Sequence, residues 1–181
     1  MKKIIFLDRD GTINVEKSYL HKWEDFEFEK NVIVGLIELK KLGYEFIVVT
    51  NQSGIARGYY TEEDLTLLNS KMIEKLKEFE IDILDCFYCP HHLEKGIGKY
   101  KIDCSCRKPN PGMIFKGLEK YEIDIENSYM VGDKLSDLEA GEKAGLKSIL
   151  VTTGYGKNIE KECNKKYSVA KDLLEVAKII K

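Results

Sequence analysis

Ile4-Ile5-Phe6-Leu7-Asp8-Arg9-Asp10-Gly11-Thr12 is the stretch that decides the fold of this chain. Its four apolar residues predict a short buried strand, and two acids spaced i, i+2 follow at once, before a glycine. Open α/β folds bind ligands at the carboxyl ends of their strands. Two carboxylates held this close repel each other unless a cation or a shared proton lies between them. The alternative is an ordinary polar strand-to-turn junction.

The composition is that of an ordinary globular protein. The 181 residues are 43% hydrophobic and 33% charged, and the formal net charge is −2, which offers no positive field for nucleic acid or anionic membranes. No apolar run approaches the roughly 20 residues that cross a bilayer, and the run after Lys3 is too short for a signal-peptide core. We therefore expect one domain over residues 1–181, cytoplasmic and monomeric, that binds neither nucleic acid nor membrane.

Strand and helix patterns alternate along the chain. After the first strand, further strands are predicted at residues 44–49, 83–88, 128–131, 148–151 and 167–169. Helices are predicted from an Asn31 cap to residue 41, from a Thr61–Asp64 capping box to about residue 79, from Pro111 to about residue 121, at 136–144 and at 172–180. This order predicts an α/β fold, a Rossmann-like, doubly wound, mainly parallel sheet with helices on both faces and no large cap domain.

Reactive side chains follow three of the predicted strands. Because the carboxyl ends of parallel strands share one edge of a sheet, the following residues are predicted to converge there: Asp8, Asp10, Thr50 and Asp133, joined by Arg107 and Lys108 from the loop of residues 89–108. Three carboxylates beside a hydroxyl and two cations are typical of a Mg²⁺ site that handles a phosphate. Each carboxylate taken alone is more simply a surface residue, but their shared position favours a site.

The loop of residues 89–108 carries four soft metal ligands. Cys89-Pro90-His91 is separated by twelve residues from Cys104-Ser105-Cys106. Cys₃His is a common structural zinc set, and closing it would order a loop that has no helical or strand pattern. Free thiols in a mobile loop are the alternative, and His92 is a rival for His91. Cys163 receives no role.

Asp8-Arg9-Asp10-Gly11-Thr12 resembles the first motif of the haloacid dehalogenase superfamily of phosphotransferases. Thr50 resembles the second motif of that superfamily, Lys108 the third, and Gly132-Asp133 with Asp137 the fourth. The motifs follow in the right order over nearly the whole chain.

The resemblance implies a role for each motif residue. Asp8 would be the nucleophile and Asp10 the general acid and base. Mg²⁺ would be held by the Asp8 and Asp133 side chains and the Asp10 carbonyl oxygen. Thr50 and Lys108 would bind the transferring phosphoryl group, and Asp137 would support the site electrostatically.

Within the superfamily, the loop and motif sequences most closely resemble the heptose-bisphosphate phosphatases, which serve the synthesis of nucleotide-activated heptose for lipopolysaccharide. By this resemblance the substrate would contact Glu16, Lys17, Ser18, Tyr19, Thr50, Asn51, Gln52, Ser53, Arg107, Lys108 and Lys134. A second phosphate would suit Arg107, which otherwise is a loop surface charge. The first alternative is the sister group of histidinol-phosphate phosphatases, whose zinc loop is shorter. The second is a catalytically inactive binding protein, against which the intact motif residues argue.

Overall fold

A computed structural model describes residues 1–180. Its sheet contains β1 (Lys3–Leu7), β2 (Tyr44–Asn51), β3 (Ile83–Cys89), β4 (Tyr129–Gly132), β5 (Lys147–Val151) and β6 (Ser168–Ala170). All neighbouring strands are parallel, in the order β3-β2-β1-β4-β5-β6. The chain thus builds outward from β1 on one side and then from β4 on the other. The point between β1 and β4 is where such sheets leave a crevice for a ligand.

Helices cover both faces of this sheet, as predicted. They are α1 (Val32–Lys41), α2 (Ser53–Ala56), α3 (Glu62–Lys77), α4 (Gly112–Lys120), α5 (Leu135–Lys143), α6 (Gly156–Cys163) and α7 (Leu173–Ile179). Helices α1, α3 and α7 share one apolar core with the sheet, and α4 and α5 share the other. No helix within residues 1–180 is both long enough and apolar enough to traverse a bilayer.

Strand β1 is apolar from Ile4 to Leu7 because both of its faces are covered. Ile5 and Leu7 belong to the core under α1 and α7, whereas Ile4 and Phe6 belong to the core under α4 and α5. Successive side chains of a strand point to opposite faces, so a strand buried on both sides has no polar positions until it ends. Asp8, the first polar residue after this apolar run, therefore marks the edge of the sheet.

The cap of α1 differs from the prediction, while that of α3 agrees with it. Thr61 and Asp64 form the predicted capping box. Asn31 occupies the N-cap position of α1, but its backbone is left-handed, with φ of 63°, and its side chain does not cap the helix. The Asn31 amide instead donates to Asp172 Oδ2 at 2.7 Å. The prediction of an Asn31 side-chain cap was therefore wrong, because this side chain ties α1 to the start of α7.

Candidate active site

A cavity of about 600 Å³ opens at the carboxyl edge of the sheet. Its lining consists of Asp10, Glu16, Ser18, Tyr19, Asn51, Gln52, Ser53, Tyr60, Arg107, Lys108, Pro109, Lys134, Ser136 and Tyr155. Most of the residues predicted to contact a substrate are thus brought together. Thr50 lies just beneath the lining, fully buried. Lys17 does not reach the cavity, because its ammonium donates to the Asp25 carbonyl at 2.8 Å and lies 3.1 Å from Glu27 Oε2.

Three buried carboxylates form a cluster below the cavity. Asp8, Asp133 and Asp137 each offer a carboxylate oxygen within 4.8 Å of the others. Their residues are 4%, 0% and 1% exposed, so water cannot screen their mutual repulsion. A neighbouring positive charge or a bound proton is therefore needed to relieve this repulsion.

Lys108 supplies part of that positive charge. Its ammonium lies 2.7 Å from Asp137 Oδ1 and 3.0 Å from Asp8 Oδ1, and it donates to the Val49 carbonyl at 2.7 Å. Burial by itself would lower the pKa of Lys108, but Asp137 and Asp8 outweigh burial and raise it. Lys108 is therefore a permanent cation in contact with two of the three acids.

Asp133 has the features of a cation ligand. Its Oδ2 accepts the Tyr155 backbone N–H at 2.8 Å, but its Oδ1 is buried without a hydrogen-bond partner. Burial, followed by the charge of Asp8, raises the pKa of Asp133 to about 8. A buried carboxylate oxygen without a donor is costly, and a divalent cation at Oδ1 would remove the cost. The cluster therefore fits a hard cation such as Mg²⁺.

Two glycines make room for the Asp133 side chain. A Cβ atom at Gly11 or at Gly154 would lie 2.2 Å from Asp133 Oδ2. Both glycines also have positive φ values, +83° and +50°, which side chains rarely tolerate. The turn after β1 and the turn after β5 thus meet over the same carboxylate.

The Asp10 carboxylate is surrounded by donors. Arg9 Nη2 contacts both oxygens at 3.0 Å, Asn14 Nδ2 donates at 3.0 Å, and Gln52 Nε2 donates at 2.8 Å. Burial alone would raise the pKa of Asp10, but the charge of Arg9 and these hydrogen bonds lower it. The Arg9 guanidinium is itself fully buried and also donates to Asn69 on α3 at 2.9 Å. Asp10 is therefore held as an anion in a fixed orientation.

Gln52 connects Asp10 to Thr50 and Tyr60. Its amide nitrogen donates to Asp10 Oδ2 at 2.8 Å and to Thr50 Oγ1 at 2.9 Å, and its oxygen accepts the Tyr60 hydroxyl at 2.5 Å. A carboxylate only accepts hydrogen bonds, so this amide has one possible orientation. Because Thr50 Oγ1 accepts from Gln52, its own proton is free to donate elsewhere. Tyr60 was not predicted as a site residue. Its only signal in the sequence is that it belongs to an aromatic pair shortly after the second motif.

The loop that carries Lys108 is clamped to the end of β2. Asn51 Nδ2 donates to the Lys108 carbonyl and Asn51 Oδ1 accepts the Lys108 N–H, both at 3.0 Å. The neighbouring Arg107 donates through Nη1 to the His91 carbonyl at 3.2 Å. Across the cavity, Lys134 Nζ lies 3.3 Å from Glu16 Oε2. Arg107 and Lys108 are thus positioned through backbone contacts on one side of the cavity, and Lys134 by a side-chain ion pair on the other.

The four predicted soft ligands come together in the structure. The Cys106 sulfur lies 3.0 Å from that of Cys89 and 3.3 Å from that of Cys104, and it is 3.4 Å from His91 Nδ1. All four ligand atoms lie within 4.8 Å of one another. His92 is outside the cluster, and its Nδ1 accepts the Lys95 N–H at 3.2 Å. Four ligand atoms this close together could hold a metal ion, and His91 rather than His92 is the histidine that lies with the three thiols.

This loop is attached to the wall of the cavity. The Ile97 N–H donates to the Ala56 carbonyl at 2.8 Å, which joins the loop to the end of α2. Tyr100 on the loop and Tyr88 on β3 donate to the two carboxylate oxygens of Glu62, each at 2.6 Å. Glu62 is the first residue of α3. The loop is therefore joined to α2, whose Ser53 lines the cavity, and to the start of α3.

Comparisons with known proteins agree with this geometry. A family model described as HAD-hydrolase-like matches residues 105–176. A D-glycero-alpha-D-manno-heptose-1,7-bisphosphate 7-phosphatase of Photorhabdus laumondii is 53% identical over 154 residues, 84% of each chain. A D-glycero-beta-D-manno-heptose-1,7-bisphosphate 7-phosphatase of Pasteurella multocida is 44% identical over 183 residues, covering 100% of this chain and 98% of the relative.

A solved structure extends the similarity to three dimensions. The D,D-heptose 1,7-bisphosphate phosphatase of B. bronchiseptica, complexed with magnesium and phosphate, superimposes with a TM-score of 0.86 at 30% sequence identity. The match covers 98% of this chain and 97% of the other. The resemblance in the motifs is therefore accompanied by a resemblance of the whole fold.

Proposed function

This chain belongs to the heptose-1,7-bisphosphate 7-phosphatases, a family of haloacid dehalogenase-like hydrolases, and from that membership we propose its reaction. It hydrolyses the 7-phosphate of D-glycero-D-manno-heptose 1,7-bisphosphate and gives heptose 1-phosphate. The observation that carries this assignment is the 44% identity to such an enzyme along the whole chain. The complete set of acids, hydroxyl and lysine at the sheet edge supports it.

The cluster of buried acids is the proposed Mg²⁺ site. The side chains of Asp8 and Asp133, with the Asp10 carbonyl oxygen, would hold the ion, and Asp133 Oδ1 is the oxygen left without a donor. Bound there, Mg²⁺ supplies positive charge to the phosphoryl oxygens. Lys108 supplies a second positive charge from within the protein, and Thr50 has a hydroxyl proton to donate. Fixed charges and donors of this kind provide most of the catalysis of phosphoryl transfer.

We assign the bond changes to the two acids of the first motif. The Asp8 carboxylate attacks phosphorus, and the bond from phosphorus to the sugar oxygen breaks as Asp10 gives that oxygen a proton. Water then attacks the aspartyl-phosphate, Asp10 takes its proton, and phosphate leaves with Asp8 restored. Asp8 Oδ1 is held by the Arg9 N–H at 2.8 Å and by Lys108 at 3.0 Å, which fixes the plane of the nucleophile.

Asp10 must be protonated before the first step. Its donors lower its pKa when the cavity is empty. An incoming phosphate dianion raises the pKa of a neighbouring carboxyl, so substrate itself promotes the loading of the proton. The loaded acid then donates readily, because the surrounding donors favour the anion that remains.

The second phosphate of the substrate is the proposed ligand of Arg107. This guanidinium contacts no carboxylate within residues 1–180 and is held at the cavity by the His91 carbonyl. Arg binds phosphate through two parallel hydrogen bonds. Histidinol phosphate would bring a cationic amine toward this position, which disfavours the sister activity.

We also infer the setting of the reaction. The Cys89, His91, Cys104 and Cys106 cluster would hold a structural Zn²⁺ that orders the wall of the cavity. The enzyme would act as a one-domain monomer in the cytoplasm and supply heptose 1-phosphate for nucleotide-activated heptose.

Phosphate release from heptose 1,7-bisphosphate and from histidinol phosphate tests the assignment. We expect Mg²⁺-dependent release, a preference for the bisphosphate, and loss of only the 7-phosphate signal in ³¹P NMR spectra. Asp8→Asn should abolish release, while the exposed Asp82→Asn should behave as wild type. A preference for histidinol phosphate would overturn the substrate assignment, and unchanged turnover in Asp8→Asn would overturn the nucleophile.

A further inference from the structure

Arg57, the residue that follows α2, is a guanidinium without an acidic partner. No carboxylate within residues 1–180 forms an ion pair with it, and its Nε is buried with no hydrogen-bond partner. Its Cζ instead lies 5.6 Å from the centre of the Tyr19 ring. Stacking on a ring uses the face of the guanidinium and leaves the N–H edges free. The Arg57 guanidinium is therefore available to bind an anion that comes from outside the protein.

Tyr19 connects Arg57 to the cavity. The Tyr19 side chain lines the cavity, and Arg57 lies beside this ring at the rim of the cavity. Ser18 and Tyr19 both have left-handed backbones, with φ of 48° and 61°, and the Ser18 N–H is held by Glu16 Oε1 at 2.9 Å. Non-glycine residues persist in this region only where the surrounding structure imposes it, commonly at ligand contacts. The loop thus holds the Tyr19 ring in a defined place against the guanidinium.

Arg57 and Arg107 approach the same part of the loop of residues 89–108. Arg107 donates to the His91 carbonyl, and the loop is joined to the residue before Arg57 by the Ile97 to Ala56 hydrogen bond. Arg107 itself lines the cavity, and Arg57 lies against Tyr19, which lines the same cavity. Two cations without acidic partners are thus associated with this cavity.

We propose that Arg57 is a specificity-determining residue, whose guanidinium joins that of Arg107 in binding the non-reacting phosphate of a bisphosphate substrate. The inference rests on the proposed function and extends it to a residue outside the motifs. Two guanidiniums match the charge of a phosphate dianion, and each offers paired N–H donors to its oxygens. The Tyr19 ring sets the distance of Arg57 from the cavity, so selection for a second phosphate is built into this rim.

Steady-state kinetics with two substrates test the proposal. Heptose 1,7-bisphosphate carries the second phosphate, and p-nitrophenyl phosphate does not. For Arg57→Gln we expect KM for the bisphosphate to rise by roughly tenfold to a hundredfold, the range for a lost hydrogen bond to a charged group. Activity toward p-nitrophenyl phosphate should stay within about twofold, since its single phosphate binds at the carboxylate cluster. Arg57→Lys keeps the charge without the paired donors and should fall between wild type and Arg57→Gln.

Lys95→Gln is the matched control, because Lys95 is an exposed cation on the same loop of residues 89–108 and is not part of the cavity lining. It should leave KM for both substrates unchanged. Equal losses on both substrates in Arg57→Gln, or no loss on either, would overturn the proposal. If the wild-type protein itself shows no advantage for the bisphosphate, the proposed function fails and the assignment of Arg57 falls with it. Wild-type preference that survives in Arg57→Gln removes the assignment of Arg57 alone.

Discussion

Lys108→Met would remove the ammonium that contacts two buried carboxylates, Asp8 at 3.0 Å and Asp137 at 2.7 Å. Breaking a buried ion pair by deleting one partner costs about 3–5 kcal/mol, because the remaining charge is left uncompensated. Here the variant leaves two such acids beside Asp133, whose Oδ1 already lacks a donor. For a domain of this size that loss corresponds to a fall in Tm of roughly 6–20 °C. We expect this fall in Mg²⁺-free buffer.

Magnesium should reverse much of that loss. The ion would bind among the same carboxylates, so removing a competing cation increases its effect on stability. We therefore expect saturating Mg²⁺ to raise the Tm of Lys108→Met by more than it raises that of the wild type. Catalysis should stay defective even then, because Lys108 is proposed to bind the phosphoryl oxygens. The two readouts thus separate the structural role of the ammonium from its chemical role.

The measurement is thermal unfolding of both proteins with and without Mg²⁺, beside turnover of the bisphosphate. Lys120→Met is the control, since its ammonium also lies 2.8 Å from a carboxylate, that of Asp85, but is 57% exposed. An exposed pair contributes little to stability, so its Tm should hardly change. If Lys108→Met has the same Tm as the wild type in Mg²⁺-free buffer, this account of the carboxylate cluster is refuted. It is also refuted if Mg²⁺ does not raise the lowered Tm of the variant.

Two further substitutions test the metal sites. Gly154→Ala places a Cβ 2.2 Å from Asp133 Oδ2, so we expect the Mg²⁺ concentration for half-maximal activity to rise roughly tenfold or more. Gly98→Ala is its control, because Gly98 has a similar φ of +57° but no atom within 4 Å of the added Cβ. The same Mg²⁺ requirement in both variants would contradict the expectation. In Cys104→Ser we expect metal analysis to find less zinc than in the wild type, and we expect a lower Tm. Cys163→Ser, at a buried cysteine outside the cluster, should keep the metal. Full zinc content in Cys104→Ser would exclude that thiol as a ligand.

The sheet was predictable because its strands are apolar on both faces. Burial on both sides gives β1 a continuous apolar run, and the run ends where the chain leaves the sheet at Asp8. The inner strands follow that rule closely, whereas the edge strands β3 and β6 are only partly buried. The short helices α2 and α6 were not predicted. Helix α2 has only four residues, and Ser53-Gly54-Ile55-Ala56 has no periodic pattern to detect.

The details that sequence could not supply are contacts between distant loops. Lys17 was expected at the substrate, yet its ammonium is taken up by Asp25 and Glu27, because nothing local sets which way a loop lysine points. Asn31 was expected to cap α1, but its backbone is left-handed and its side-chain amide donates to Asp172, 141 positions later. The choice between His91 and His92 depends on which imidazole lies beside the Cys106 sulfur in the folded chain. Each of these outcomes is decided by tertiary packing rather than by neighbours in sequence.

The anchoring of the Cys/His cluster bears on how this family can change its substrates. Cys89 is the last residue of β3, and Cys106 stands two positions before Lys108. Both ends of the loop are thus fixed to the catalytic framework, and a bound metal would close it on itself. The twelve residues between His91 and Cys104 can therefore vary in length without disturbing the sheet or the acids. The entrance of the cavity could thus change during evolution while the catalytic residues keep their positions.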